Sequence, residues 1–349
     1  MTRICILYTE LAGYYVSCLN RLCDEYDVEA TLVAYPVNPE APFEFEFSDR
    51  VRVIDRNSVD LNGLQSIVDE VQPQLIHCAG WIDKEYLQIV KQNPEITSAM
   101  GFDNQWLKTP KQYLATLYSR FKFKPIFDYA HVPGSPQKEF ARRMGFSDNQ
   151  IVTGIYACDL DRFNPLFEKR SAQSSAYQNK TLLYVGRYLD HKGIFDLFHA
   201  FIELVETKFP DWTLRCLGTG DAWDRRAIHP NIVHEGFVQP TDMEEFVLSS
   251  SAFVLPSHFE PWGVVVQEFA ATGLPLVISD QVGARTEFLE EGVNGFEFKA
   301  QDKNSLQKTL LKIMTSDSDK LAKMGAESFR LAQRLSPDIW SKAMLSMIS

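Results

Sequence analysis

The strongest constraint on this chain is a pattern that runs through it twice. Short apolar runs of strand length alternate with amphipathic stretches of helical period, stop at a polar segment near residue 170, and then start again. In the first half the strand-like runs are 4–8, 28–34, 51–54, 75–78, 97–102, 126–130 and 151–156, with helical patterns over 11–23, 61–71, 84–91 and 137–144. Alternation of this kind favours a parallel sheet with helices on both faces, because each parallel crossover needs a helix's length of chain. The segment 171–180 is polar, lacks apolar periodicity and reads as a linker. After it come strand-like runs at 181–185, 212–217, 232–234, 252–255, 275–279 and 295–298, and a largely helical stretch from 305 onward. In the first helix of this half, Ile194, Leu197, Phe198, Phe201, Ile202 and Val205 share one face, a spacing suited to packing on a sheet. The expected organisation is a doubly wound α/β domain over 1–170, a linker over 171–180, a second such domain over 181–335, and a helix over 336–349 that packs back on the first domain. Two such domains make a cleft between the carboxyl ends of their strands, where open α/β sheets bind ligands.

Charge and cysteine content narrow the partners. A net charge of −11 argues against nucleic acid, whose binding draws on clustered Lys and Arg. One local exception is Arg120-Phe121-Lys122-Phe123-Lys124, which follows a helix-like stretch at 113–118. Basic and aromatic side chains together suit a membrane surface or an anionic acceptor, and equally a solvated loop with aromatics packed beneath it. The six cysteines show no C-x-x-C or Cys/His spacing, and Cys5, Cys78 and Cys216 lie in apolar runs as core residues. No acidic or Cys/His metal motif is evident, so no metal site and no cofactor is expected. No apolar run approaches the roughly 20 residues that span a bilayer. The opening residues read as a buried strand, not a signal peptide. The expected location is the cytoplasm, with the inner face of the membrane as an extension of that reading.

The chemistry is concentrated in the second half. Arg187 and Lys192, in Gly186-Arg187-Tyr188-Leu189-Asp190-His191-Lys192-Gly193, flank a turn at the carboxyl end of a strand. Two cations there suit a diphosphate, to which each offers charge-assisted hydrogen bonds; taken alone they also read as surface residues. Gly218-Thr219-Gly220 permits a tight turn and close backbone approach, as an ordinary turn also would. The run from Phe253 to Glu268 passes from strand through a loop into a helix, with Glu260 in the loop and Glu268 about a turn into the helix. The N–H groups from Trp262 to Val264 lie near a helix N-terminus, where an anion is favoured. A loop carboxylate suits sugar hydroxyls, and one along the helix suits a ribose.

These three elements, with Gly292-Val293-Asn294-Gly295-Phe296 as a fourth, occur in the order and spacing of retaining GT-B glycosyltransferases of family 4, the group 1 glycosyltransferases. The resemblance covers roughly residues 181–300. It implies GT-B architecture, two doubly wound Rossmann-like domains facing an interdomain cleft, with the acceptor on the first and the nucleotide-sugar on the second. It implies that Arg187 and Lys192 hold the donor diphosphate, that Glu260 lies by the donor sugar, and that Glu268 binds the ribose. The backbone of Trp262, Gly263 and Val264 would help hold sugar and phosphate. Trp262 replaces the usual Phe, and Tyr156-Ala157-Cys158-Asp159-Leu160-Asp161-Arg162-Phe163-Asn164-Pro165 resembles the family's N-G-V-D…F-x-P stretch with its Asn-Gly replaced. The first half matches less well. Thr9-Glu10-Leu11-Ala12-Gly13-Tyr14 has one glycine where relatives often carry a pair, leaving Gly13 to allow approach of the donor or acceptor. Asp103 stands where relatives have a His or Asp and is the candidate to accept the acceptor's proton, or else a turn residue. His77 reads as a core histidine.

The function implied is transfer of a hexose-type sugar, with retention and without metal, to a glycan, lipid-linked or small-molecule acceptor in polysaccharide or glycoconjugate synthesis. Two other readings stand beside it: an epimerase or hydrolase acting on a nucleotide-sugar, and a non-catalytic sugar-nucleotide-binding protein.

Overall fold

The computed structural model describes residues 1–38, 42–173 and 177–348 and divides into two units, 1–158 with 335–349, and 159–334. The first unit contains β1 (Thr2–Tyr8), α1 (Gly13–Glu25), β2 (Val28–Ala34), β3 (Val51–Asp55), α2 (Leu61–Val71), β4 (Leu75–Ala79), α3 (Lys84–Gln92), β5 (Thr97–Gly101), α4 (Pro110–Lys122), β6 (Tyr129–Val132), α5 (Ser135–Met144) and β7 (Ile151–Thr153). The second contains α6 (Leu160–Ala172), β8 (Thr181–Val185), α7 (Ile194–Thr207), β9 (Thr213–Leu217), β10 (Ile232–Gly236), α8 (Glu244–Leu248), β11 (Ala252–Leu255), α9 (Val264–Ala271), β12 (Leu276–Ser279), α10 (Arg285–Phe288), β13 (Gly295–Phe298), α11 (Lys303–Met314) and α12 (Ser318–Ala332). The last helix, α13 (Pro337–Ser346), belongs to the first unit.

The first sheet is ordered β3-β2-β1-β4-β5-β6-β7 and the second β10-β9-β8-β11-β12-β13. Every pairing is parallel. In each sheet the strand order reverses beside the first strand, between β1 and β4 and between β8 and β11, and the carboxyl ends of those strands are the place for a ligand.

Burial on both faces explains why the central strands read as unbroken apolar runs. In the first unit Cys5, Leu7, Ile76 and Met100 face one core, while Ile4, Ile6, Leu75 and Ala99 face the other. Trp340 of α13 closes the second of these cores. Its indole nitrogen donates to the Ile155 carbonyl at 2.9 Å, and its ring meets Tyr15 edge-on at 5.6 Å. All six cysteines are buried and none forms a disulfide.

Several boundaries differ from the sequence reading, among them the strand expected at 151–156, which ends at Thr153. The units divide between Cys158 and Asp159, ahead of the 171–180 segment, and α6 runs through its first two residues; residues 174–176 lie outside the described residues. The strand expected at 126–130 runs instead over Tyr129–Val132, because Pro125 sits in a 3-10 turn at Lys124–Ile126 and cannot donate to a ladder. The basic-aromatic segment at 120–124 is not a loop after a helix: Arg120, Phe121 and Lys122 form the last turn of α4, and Phe121 is 78% exposed. Among the described residues no helix is long and apolar enough to cross a membrane.

Candidate active site

In the second unit, three loops converge after β8, β9 and β11. Gly186 donates to Leu217 O at 3.0 Å and Tyr188 to Thr219 O at 2.9 Å, joining the first two loops backbone to backbone. This is the contact that Gly218 and Gly220 serve. A Cβ on Gly218 would lie 2.1 Å from the Gly186 carbonyl oxygen, and one on Gly220 would lie 2.8 Å from that of Tyr188. Both glycines also hold positive φ, at 123° and 150°. The close approach expected of them is therefore made to a neighbouring loop.

The loop after β11 is clipped to the loop after β8 in the same way. His258 N–H donates to His191 O at 2.8 Å, and a Cβ on Gly193 would strike the Pro256 carbonyl oxygen. The His258 ring nitrogen Nε2 sits 2.7 Å from Asp196 Oδ2 on α7, and Lys192 Nζ pairs with Glu260 Oε2. Ser257 Oγ donates to the same carboxylate oxygen at 3.3 Å. Arg187, half-buried, belongs to the same group: together with Lys192, Glu260 and His258 it acts on the His191 ring, whose pKa is lowered mainly by desolvation and then by Lys192. Arg187, Lys192 and Glu260 are thus one electrostatic cluster at the strand-order reversal. The His258–Asp196 pair was missed in the sequence, though His258 stands two residues before Glu260.

Gly263 caps α9 in the left-handed region at φ 92°, and as a glycine it offers no side-chain cap to the first N–H groups of that helix. Trp262 is 2% exposed, packs edge-on against Phe288, and its indole N–H is buried without an acceptor among the described residues. Glu268 lies one turn into α9, half-buried. Desolvation pushes its carboxyl up to about 7; nearby Asp159 raises it further, and Arg162 opposes.

The first unit presents a different set of groups. Gly13 opens α1 with open space around its α-carbon, so the position tolerates a side chain. Asp103 lies in the loop after β5, half-buried, where its carbonyl oxygen accepts from Gln137 Nε2 at 3.2 Å. Its carboxylate acts on the hydroxyls of Tyr156 and Tyr8, both held well above the usual tyrosine range first by burial. Tyr8 stacks on Tyr15 at 4.0 Å, and Tyr14 meets Tyr156 edge-on at 5.4 Å. Sequence reasoning did not single out this tyrosine cluster, although Tyr8, Tyr14 and Tyr15 bracket the first strand–helix turn. His77 is a core histidine, but not an isolated one: its Nε2 lies 3.2 Å from Nδ1 of His131 on β6. Burial pushes His77 down to about 4 and His131 well below the usual histidine range.

Among the described residues no cluster of three or more His, Cys, Asp or Glu side chains is placed to hold a metal ion.

Solved structures align over both units. TarM of S. aureus, in a structure with UDP, fondaparinux and α-GlcNAc-glycerol, aligns over 100% of both chains with a TM-score of 0.77 at 10% identity. Anabaena HepE, solved with UDP and glucose, aligns over 99% of this chain and 98% of its own with a TM-score of 0.70 at 16% identity. The fold is GT-B. Residues 167–330 match the family model of glycosyl transferases group 1, so the sequence likeness falls within the second unit of this GT-B chain. Curated relatives include an uncharacterized glycosyltransferase of Methanocaldococcus jannaschii, 32% identical over 33% of this chain and 31% of its own length. Another is glycogen synthase of Mycobacterium tuberculosis, 34% identical over 45% of this chain and 38% of its own. The chain therefore spans about a third of the length of the curated relatives it matches.

Proposed function

We propose that this protein is a retaining glycosyltransferase that moves a hexose-type sugar from a nucleotide-sugar donor to an acceptor hydroxyl. The observation that carries this reading is the convergence of Arg187, Lys192 and Glu260 at the strand-order reversal of the unit that matches the group 1 model. The second unit binds the donor. Its diphosphate displaces Glu260 from Lys192, and Arg187 and Lys192 then stabilise the negative charge that develops as the C1–phosphate bond breaks. Freed from the ion pair, Glu260 turns to the donor sugar's hydroxyls. The N–H groups at the start of α9 assist with phosphate, and Glu268 accepts from the two ribose hydroxyls. The first unit supplies the acceptor site, where Asp103 or the leaving phosphate takes the acceptor's proton. Two fixed cations serve where other transferases use a divalent ion. Polysaccharide or glycoconjugate synthesis is the setting this chemistry suits.

A thermal-shift series against UDP, GDP, dTDP, ADP and their sugar conjugates, with and without EDTA, tests the reading. A ligand that binds only the native state raises the melting temperature by mass action. The expected result is a shift with one nucleotide class, unchanged by EDTA and lost in Arg187→Ala and Glu268→Ala. Folded protein that shifts with none of them would sink the proposal. Donor consumption without any acceptor would point to the hydrolase or epimerase reading.

A further inference from the structure

Helix α4 is built inside out. The residues it buries are Thr116 and Ser119, whose hydroxyls are satisfied by the Tyr113 and Ala115 carbonyls of the same helix. The large apolar residues it exposes are Tyr113, Leu114, Leu117, Tyr118 and Phe121, with Leu114 72% and Phe121 78% accessible. At about 100° per residue these five fall within one arc of about 140°, a continuous apolar stripe facing away from the unit. Soluble surfaces rarely expose so many large apolar side chains together without a partner.

Charge says which partner. Between Asp103 and Asp128 the chain has no acidic residue and carries Lys108, Lys111, Arg120, Lys122 and Lys124, although the protein as a whole carries −11. On the helix, Lys111 and Lys122 border one side of the stripe and Arg120 the other. Lys122 Nζ lies 5.1 Å from the centre of the Tyr118 ring, so its stem runs along the apolar band while its charge stays at the border. The helix is also firmly seated. Thr109 caps it, Pro110 begins it, and Gln112 ties residues 105 and 107 to its first turn. A second copy of this chain would present the same cations and be repelled at this face.

We infer that α4 lies flat on an anionic lipid bilayer, its stripe of Tyr113, Leu114, Leu117, Tyr118 and Phe121 entering the acyl boundary and its flanking cations contacting lipid headgroups. This docking is separate from the donor site, and its test is read independently of nucleotide binding. The full chain is sedimented with vesicles of phosphatidylcholine alone and of phosphatidylcholine with about 30% phosphatidylglycerol, at low and high salt. The expected result is binding to the anionic vesicles only, weakened by salt. Lys111→Gln and Lys122→Gln should each reduce the partition about fivefold, and Leu117→Ser with Phe121→Ser about tenfold or more. All variants should keep the far-UV spectrum and the nucleotide-dependent thermal shift of the parent. No partition onto anionic vesicles, or equal partition onto neutral ones, would overturn the inference. So would a concentration-dependent dimer in sedimentation velocity that the Leu117→Ser, Phe121→Ser variant dissolves, since the stripe would then be an interface between copies.

Discussion

The two units share a strand order through six strands, β7 being extra in the first, but differ in what they place at the strand ends. At the reversal in the second unit stand charged and polar groups in contact: Lys192 with Glu260, the His258 ring with Asp196, and Arg187 beside them. Near the corresponding end of the first unit stand groups that burial keeps neutral, the tyrosines at 8 and 156 and, inside the sheet, the pair His77 and His131. Asp103 acts on both tyrosines, and Glu10 acts on Tyr156 as well. A site that handles a diphosphate must present fixed charge, which limits it to a few residue types at fixed spacings. A site for an acceptor hydroxyl can be made from shape and a single carboxylate, which limits its sequence far less.

The most severe way to break this comparison is to remove the charge. Lys192→Ala should lower kcat about a thousandfold in a donor-turnover assay, because one stabiliser of the departing phosphate is lost. Lys192→Arg should restore part of the loss. Asp103→Asn should cost about a hundredfold, as expected of a single proton acceptor. If Asp103→Asn proves the costlier change, the assignment of chemistry to the second unit is wrong.

The next test concerns acid. His77 has a folded value near 4, below the unfolded value of about 6.5, so the unfolded chain takes up protons first as pH falls. Stability is then intact above about 6.5 and lost as pH drops toward 4, by up to about 1.4 kcal/mol per unit for one histidine. Urea unfolding of the first unit's transition should follow this slope, and His77→Leu with His131→Leu should flatten it.

Glu268 has the opposite sign. Its folded value near 7 lies above the unfolded one, so its contribution to stability is present below about 4.5 and lost as pH rises through 7. Ribose hydroxyls donate to the ionised form. Nucleotide affinity measured by calorimetry should therefore fall up to about tenfold per pH unit below 7, and Glu268→Gln should abolish that dependence. The smallest effect is reserved for Trp262→Phe. Lost burial is offset by removal of a buried N–H without an acceptor, so urea midpoints should place the stability change within about 1 kcal/mol.

Legibility followed the same division. Strand–helix alternation made the architecture readable because both sheets are buried on two faces, and the motif residues of the second unit come from the ends of β9, β8 and β11, three neighbours in the sheet. The Lys192–Glu260 pair could not be foreseen, since it joins residues far apart in sequence through loops whose contacts depend on Gly193 and Pro256. His131 escaped notice because a single histidine in a strand carries no signal until its neighbour across β5 is known. The unit boundary was hidden because α6 begins just beyond it as an ordinary helix, and the polar segment that looked like a linker starts in the last residues of that helix.

The return of the last helix to the first unit has a consequence for how the polypeptide is made. The second unit is one continuous stretch and can complete its interior as soon as residue 334 has left the ribosome. The first unit, although synthesised earlier, waits for Trp340, Met344 and Met347 to fill its interior. The half translated first is thus finished last, and until then it carries an open seam beside Tyr15 and Ile155 that a chaperone or a neighbouring nascent chain can reach.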